Sequence, residues 1–104
     1  MAEISAAVAE SLKRFLAAVR RQRRIEAAYV YGSQVTGTAT EWSDIDVALV
    51  SSDFSSDLFQ ERLALMRLAA QVDDRIEPHP FRPQDFDPNA PLVDEIQRTG
   101  VRVA

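Results

Sequence analysis

The chain of 104 residues has no cysteine, and none of its apolar runs approaches the roughly 20 residues that a membrane-spanning helix requires. The lack of cysteine excludes disulfides, thiolate metal ligands and cysteine nucleophiles. The first residues also lack the apolar core of a secretory signal, because Glu3, Ser5 and Glu10 interrupt them. These absences predict a cytoplasmic protein without a membrane anchor.

Positive charge is concentrated at the start of the chain, although the net charge is −4. Residues 1–24 carry six basic and two acidic residues, a charge of +4, whereas residues 25–104 carry six arginines and fourteen acidic residues, a charge of −8. The basic segment would suit nucleic acid, an acidic partner, or a helix end whose dipole the arginines complement. Because the remainder repels phosphate backbones, we favour the helix end and rank nucleic-acid binding last.

Composition predicts one domain over residues 1–104. Hydrophobic residues at 46% and charged residues at 27% are typical of a globular protein. Apolar residues recur at helical spacing in two long segments, and in the second segment they form one stripe. That stripe consists of Phe59, Leu63, Met66 and Ala70.

The predicted elements alternate between helix and strand. Pro78 and Pro80 keep residues 75–81 extended and confine them to the edge of a sheet. This alternation predicts an α/β (α+β) fold, in which a small mixed sheet of three to four strands is flanked by helices. The predicted helices cover residues 3–24, 58–72 and 92–99, with a short one after Gly32, and the predicted strands cover residues 27–31, 44–50, 75–81 and 101–103.

Asp44 and Asp46 begin the strand predicted over residues 44–50 and share one face of it. Residues two apart on a strand have Cα atoms roughly 6–7 Å apart and point to the same side. Two such carboxylates repel each other unless a hard cation joins them, and Mg²⁺ prefers oxygen ligands together with substrate phosphates. An isolated Asp-x-Asp is more often a solvated strand end, so the pair needs context.

Gly32 and Ser33 supply that context at the end of the preceding strand. A glycine there lets backbone approach a phosphate, N–H groups at a helix start attract anions, and the serine hydroxyl adds a donor. Gly-Ser alone also fits an ordinary turn. A phosphate cradle followed by an acid pair, however, predicts a site for a nucleoside triphosphate with Mg²⁺, and Mn²⁺ would be compatible with the same ligands.

The segment from Tyr29 to Val50, YVYGSQVTGTATEWSDIDVALV, resembles the signature of the DNA-polymerase-β-like nucleotidyltransferase superfamily. That signature is a Gly-Ser after one strand and an Asp-x-Asp at the start of the next. The short chain, the segment RIEPHPF over residues 75–81 and the segment IQRTGVRV over residues 96–103 are similar to its minimal nucleotidyltransferase (MNT) branch. The resemblance implies the polymerase-β-like fold.

The resemblance also implies roles for the acidic residues. Asp44, Asp46 and Glu77 would be catalytic and would bind two divalent ions, which stabilise the attacking and leaving oxygens at the α-phosphorus. Glu77 matches the third carboxylate of the family because Pro78 forces an extended segment, and it would complete the metal site or act as general base. Asp74 is the alternative third carboxylate.

The resemblance further implies that Gly32 and Ser33 bind the β- and γ-phosphates of ATP. Members of the family often have a small and a basic residue before the second glycine, whereas this chain has Val35 and Thr36. One cationic phosphate contact is therefore absent from this motif.

Other residues are expected to be structural. His79, the only histidine, shares a predicted strand face with Glu77, but a structural or surface position is expected. Trp42 is expected to seal the sheet edge, with stacking on a base as the alternative. Four other aromatics are expected to pack on helices or pin a loop to the core: Tyr29, Tyr31, Phe81 and Phe86.

By resemblance, the chain is a Mg-dependent nucleotidyltransferase that transfers a nucleoside monophosphate, AMP from ATP first of all, to a hydroxyl. A chain of this length is expected to find its acceptor on another protein. In the MNT branch this partner is often a helical HEPN-type toxin, which implies an antitoxin that adenylylates a tyrosine of the toxin. The alternative is a non-catalytic antitoxin that acts by docking alone. The sequence leaves a homo-oligomer open.

Overall fold

The computed structural model describes residues 4–40 and 42–104. Helices and strands alternate in the predicted order, which confirms the predicted fold class. Residue 3, the predicted start of the first helix, lies outside the described residues. The elements are α1 (Ala6–Arg20), β1 (Ala27–Tyr31), α2 (Ser33–Thr36), β2 (Ile45–Val50), α3 (Leu58–Val72), β3 (Ile76–Phe81), a 3-10 turn (Pro83–Asp85), α4 (Pro91–Thr99) and β4 (Val101–Arg102).

The four strands form one mixed sheet in the order β3-β2-β1-β4. β1 is antiparallel to both β2 and β4, whereas β2 and β3 are parallel. β3 lies at the edge of the sheet. Pro78 and Pro80 have no N–H group to donate, and at an edge there is no second neighbouring strand that would need that hydrogen bond. β2 is central, and every residue of it except Asp46 is buried.

The main core lies on one face of the sheet, under α1 and α3. Phe15 of α1 is fully buried there, in one cluster with Ile45, Val47 and Leu49 of β2. Each such side chain contributes about 1.5–3 kcal/mol when it is fully buried. The opposite face has a smaller cluster around Ile96 of α4, together with Tyr31, Ala48, Tyr29, Phe81 and Phe86. α4 thus covers only part of that face.

α1 is shorter than predicted, because it ends at Arg20 and not at residue 24. Its start is capped by Ser5, whose side chain accepts from the N–H of Val8 at 3.2 Å. Beyond the helix, Arg23 turns toward α3 and pairs with Glu61, with 3.2 Å between Nη2 and Oε1. This contact explains how Glu61 can be buried on α3.

α3 has the predicted bounds, but a different side of it is buried. An apolar stripe normally faces the core, yet Phe59 and Met66 of the predicted stripe are 68% and 40% exposed. The residues buried on α3 are Glu61, Leu65 and Ala69, and the partly buried residues Leu58, Leu68 and Val72 pack with them. None of the described helices is both long and apolar enough to span a bilayer.

Candidate active site

Asp46 lies in a row of side chains that crosses three strands. It is in register with Tyr31 of β1 on one side and with Glu77 of β3 on the other. Residues in register project to the same face, and neighbouring strands lie about 4.8 Å apart. The row is therefore on the face opposite to the main core. Asp74, the alternative third carboxylate, lies in the turn before β3 and outside this row.

Asp44 is exposed and immediately precedes β2. Its neighbour Ile45 donates its N–H to the carbonyl of Arg75 at 2.8 Å, so the pairing of the parallel strands begins here. Alternation along an extended backbone places Asp44 on the face of Asp46. We call Asp44, Asp46 and Glu77 the acid cluster.

Gly32 brings the end of β1 into contact with the acid cluster. Its φ of +74° and ψ of −146° belong to a region that is almost restricted to glycine. A Cβ atom at this position would lie 2.8 Å from Oδ2 of Asp46, closer than atoms can approach without a shift. α2 begins with the next residue, Ser33. The structure thus places the predicted phosphate-binding backbone directly beside the predicted metal ligand.

Gln34 links α2 to the segment that leads into β2. Its Nε2 donates to the carbonyl of Asp44 at 3.1 Å, with the carbonyl of Ser43 at 3.5 Å. A turn tightens the same segment, because the N–H of Thr40 donates to Oγ of Ser43 at 2.9 Å. Sequence analysis gave Gln34 no role, since nothing local indicates that its side chain reaches across the loop.

Arg62 of α3 reaches over the edge of the sheet to the acid cluster. Its Nη2 lies 3.4 Å from Oε2 of Glu77, and its Nε donates to the carbonyl of Pro78 at 3.2 Å. Sequence analysis missed Arg62, which is fifteen residues before Glu77. In α2, by contrast, Val35 is buried and Thr36 is uncharged. The positive charge that α2 lacks is therefore present beside Glu77 instead.

His79 lies beside Asp46 and is partly exposed. Its Nε2 is 3.7 Å from Oδ1 of Asp46, and its ring centroid is 5.9 Å from that of Tyr31. Burial and then the charge of Arg62 lower the pKa of His79, although the nearby carboxylates oppose them. Burial, reinforced by Asp46, raises the pKa of Tyr31 well above its usual range. Both side chains are therefore uncharged near neutral pH.

Trp42 does not seal the sheet edge, because its side chain is 84% exposed. Its N–H donates to Oγ1 of Thr40 at 3.2 Å, which holds the residue in the turn before Asp44. The other aromatic predictions are confirmed. Phe86 stacks on Tyr29 with ring centroids 5.5 Å apart and meets Phe81 edge-on at 5.3 Å.

The acid cluster suits a divalent cation that arrives with a phosphate. Within residues 4–40 and 42–104, no three His, Asp or Glu side chains form a group that could hold a metal ion by themselves. Mg²⁺ is usually bound by one or two carboxylates together with substrate phosphates. Asp44 and Asp46 offer such an incomplete set of ligands, and the backbone of Gly32 lies directly against the carboxylate of Asp46.

Comparisons with known proteins agree with this arrangement. Residues 11–103 match the model of the family described as Polymerase beta, Nucleotidyltransferase. No curated protein sequence matches the chain. The fold is similar to the 1.40 Å crystal structure of a proposed nucleotidyltransferase from Sulfolobus solfataricus, with a TM-score of 0.64 and 16% identity over 92% of this chain and 78% of that one. The family match includes Gly32 and the whole acid cluster. The chain therefore belongs to the polymerase beta nucleotidyltransferase family.

Proposed function

We propose that this chain transfers a nucleoside monophosphate, AMP from ATP in the first instance, to a hydroxyl group of a partner protein. The observation that carries the proposal is the position of Asp46, between the close-approach backbone of Gly32 and the carboxylate of Glu77. A triphosphate held at Gly32 and Ser33 would have its α-phosphorus beside the acid cluster. The family match supports this chemistry.

In the proposed reaction, the acceptor oxygen forms a bond to the α-phosphorus. The bond from that phosphorus to the oxygen that bridges to the β-phosphorus breaks, and pyrophosphate leaves. Glu77 takes the proton of the acceptor hydroxyl after its contact with Arg62 has broken. Asp44 and Asp46 would hold Mg²⁺, or Mn²⁺ in its place, and the ion would offset charge on the phosphate oxygens.

The identity of the partner rests on the MNT resemblance of residues 75–81 and 96–103. It supports a helical HEPN-type toxin as the acceptor, a tyrosine hydroxyl as the modified group and an antitoxin role for this chain.

Two observations favour a second candidate, a non-catalytic antitoxin that neutralises its partner by docking. α2 provides no cation at Val35 or Thr36 for the triphosphate. Arg62 also occupies one carboxylate oxygen of the proposed base Glu77, with 3.4 Å between Nη2 and Oε2. A docking protein could retain the fold and the acids without turnover.

Transfer of label from α-labelled ATP to the partner, or to proteins of a lysate of the source cells, tests the proposal. The Asp44→Asn/Asp46→Asn variant and Glu77→Gln should lose the labelled band, whereas Asp74→Asn should keep it. Circular dichroism would show that each variant is folded. If no acid-dependent label appears with any of the four nucleotides, and the partner is still neutralised, the docking module is the correct function.

A further inference from the structure

α3 has a second apolar surface that faces solvent. Its four residues are spaced four, three and four apart, so they lie along one line of the helix. This line is about 130° around the helix from the buried residues, at about 100° per residue. We call it the α3 stripe, and it consists of the exposed residues Phe59, Met66 and Ala70 and the half-buried Leu63.

The spacing of the α3 stripe is that of a helix-packing seam. Residues at these intervals form the ridge that packs into the grooves of another helix. Exposed apolar residues on a protein surface are normally scattered singly. A contiguous exposed apolar patch of this kind, by contrast, typically marks an interaction site. The core does not account for the stripe, since Leu65 and Ala69 already pack α3 against the sheet. A helix is therefore the element that fits it.

The charges beside the stripe distinguish between partners. Arg62 and Arg67 lie about 70° to either side of it, at about 100° per residue. The side chain of Arg67 makes no hydrogen bond or ion pair in the described part of the chain, and its charge is thus available. The acid of α3, Glu61, points to the buried side and is paired with Arg23. Arg67 therefore leaves one border of the stripe positively charged, whereas Arg62 on the other border is paired with Glu77.

A second copy of this chain is a poor occupant. Two α3 helices packed on each other would bring arginines at the borders together, and like charges at such positions oppose pairing. Acidic residues elsewhere in the chain act weakly here, because salt screens exposed charges beyond about 8 Å. The complementary occupant is a helix that has an apolar seam bordered by Asp or Glu.

We infer that the α3 stripe docks an acid-bordered amphipathic helix of a partner protein. Arg62 connects this surface to the active site, because it borders the stripe and contacts Glu77. A helix bound there would border Arg62, whose guanidinium reaches over the edge of the sheet to Glu77 on the opposite face. The docking stands on the stripe alone, whereas the view that the docked protein is the acceptor rests on the proposed function.

The test uses two synthetic helical peptides, each with four leucines at the spacing of the stripe. Glutamates border the leucines in one peptide and lysines border them in the other. Fluorescence anisotropy with the full chain should show that the glutamate peptide binds at least about tenfold more tightly. Phe59→Ser/Met66→Gln should abolish this binding, whereas Leu92→Ser, which changes an exposed leucine of α4, should not.

Reversal of one border charge separates a specific dock from general stickiness. Arg67→Glu should weaken the binding of the glutamate peptide and strengthen the binding of the lysine peptide. Arg67→Glu and Phe59→Ser/Met66→Gln should both unfold in urea as the wild type does. Equal binding of the two peptides, or binding that survives Phe59→Ser/Met66→Gln, would overturn the inference. A dimer in sedimentation equilibrium that this double variant dissociates would also overturn it, because the occupant would then be a second copy. None of these measurements depends on transferase activity.

Discussion

Gly32 and Asp46 are in such close contact that the site has no room for a side chain at position 32. A Cβ atom there would lie 2.8 Å from Oδ2 of Asp46, and the backbone has a positive φ of 74°. Gly32 directly follows β1 and Asp46 lies in β2, and these two strands pair antiparallel. The contact thus sets the turn that is predicted to bind phosphate against a predicted metal ligand.

Gly32→Ala is expected to damage both stability and ligand binding. The backbone conformation alone costs about 1–3 kcal/mol for alanine, and the methyl group would also displace the carboxylate of Asp46. Disturbance of a group next to a metal ligand typically lowers metal affinity about 10- to 100-fold. Urea unfolding, together with Mn²⁺ titration in the presence of a non-hydrolysable ATP analogue, would measure the two effects.

Gly37 provides the matched control. It also has a positive φ, 81°, but no atom lies within 4 Å of a Cβ at this position. Gly37→Ala should therefore cost about 1–2 kcal/mol of stability and leave Mn²⁺ and nucleotide affinity unchanged. If both variants lose affinity equally, the contact between Gly32 and Asp46 is not the cause.

Arg62→Gln should strengthen the binding of Mn²⁺ in the absence of nucleotide. The guanidinium both occupies Glu77 and repels a cation at the acid cluster, and its removal releases that carboxylate. Because the pair is partly exposed, the gain should be modest, roughly two- to fivefold in affinity. Titration of Mn²⁺ followed by electron paramagnetic resonance would measure it. Arg67→Gln, on the same helix, should have no effect.

Unchanged Mn²⁺ affinity in Arg62→Gln would mean that Glu77 is not a metal ligand. In that event Glu77 would remain a candidate base, and the loss of label in Glu77→Gln would have to be explained by proton transfer alone.

The stability of the protein should fall in acid because of Asp73. Hydrogen bonds from Arg75 and Ser11 hold this carboxylate, and bonding to Arg75 lowers its pKa from 3.8 to about 2. A depressed pKa in the folded state means that the contribution is complete above the unfolded pKa and is lost as the pH falls through the folded one. The stability should therefore drop between about pH 4 and pH 2.

Comparison with Asp73→Asn isolates this contribution. The wild type should exceed the variant by about 2 kcal/mol in free energy of unfolding at pH 7, and the difference should vanish below pH 2. Asp74→Asn, at the exposed neighbouring position, should track the wild type throughout. Urea titrations at a series of pH values would measure all three. If the free energies of unfolding of the wild type and Asp73→Asn differ by the same amount at every pH, the carboxylate stabilises the fold by its shape and not by its charge.

Local signals in the sequence were sufficient for the sheet and the central motif. β1 ends directly before Gly32, β2 begins at Ile45 between the two acids, and the prolines of residues 75–81 place β3 at an edge. In each case a short segment determines its own conformation through turn geometry or a missing N–H. Glu77 lies beside Asp46 because β2 and β3 pair in parallel and are both extended at this point.

Long-range choices could not be predicted in the same way. α3 has helically spaced apolar residues on two sides, and periodicity does not say which side meets the sheet. The buried side includes Glu61, which is tolerated there because Arg23, from 38 residues away, and the N–H of Ser55 both bond to its carboxylate. Arg62 reaches Glu77 for an equally non-local reason. These contacts depend on the packing of α3 on β3, which no single segment encodes.

The sequence predicts a structural role for Trp42, and the stability of a variant tests that role. Its side chain is 84% exposed, so Trp42→Ala should change the free energy of unfolding by less than about 0.5 kcal/mol. Phe86→Ala is the matched aromatic control and should cost about 2 kcal/mol, because its ring contacts Tyr29 and Phe81. Urea unfolding followed by circular dichroism serves both, since the first variant has no tryptophan fluorescence. A loss above 1 kcal/mol in Trp42→Ala would show that the turn before Asp44 packs against the domain in solution.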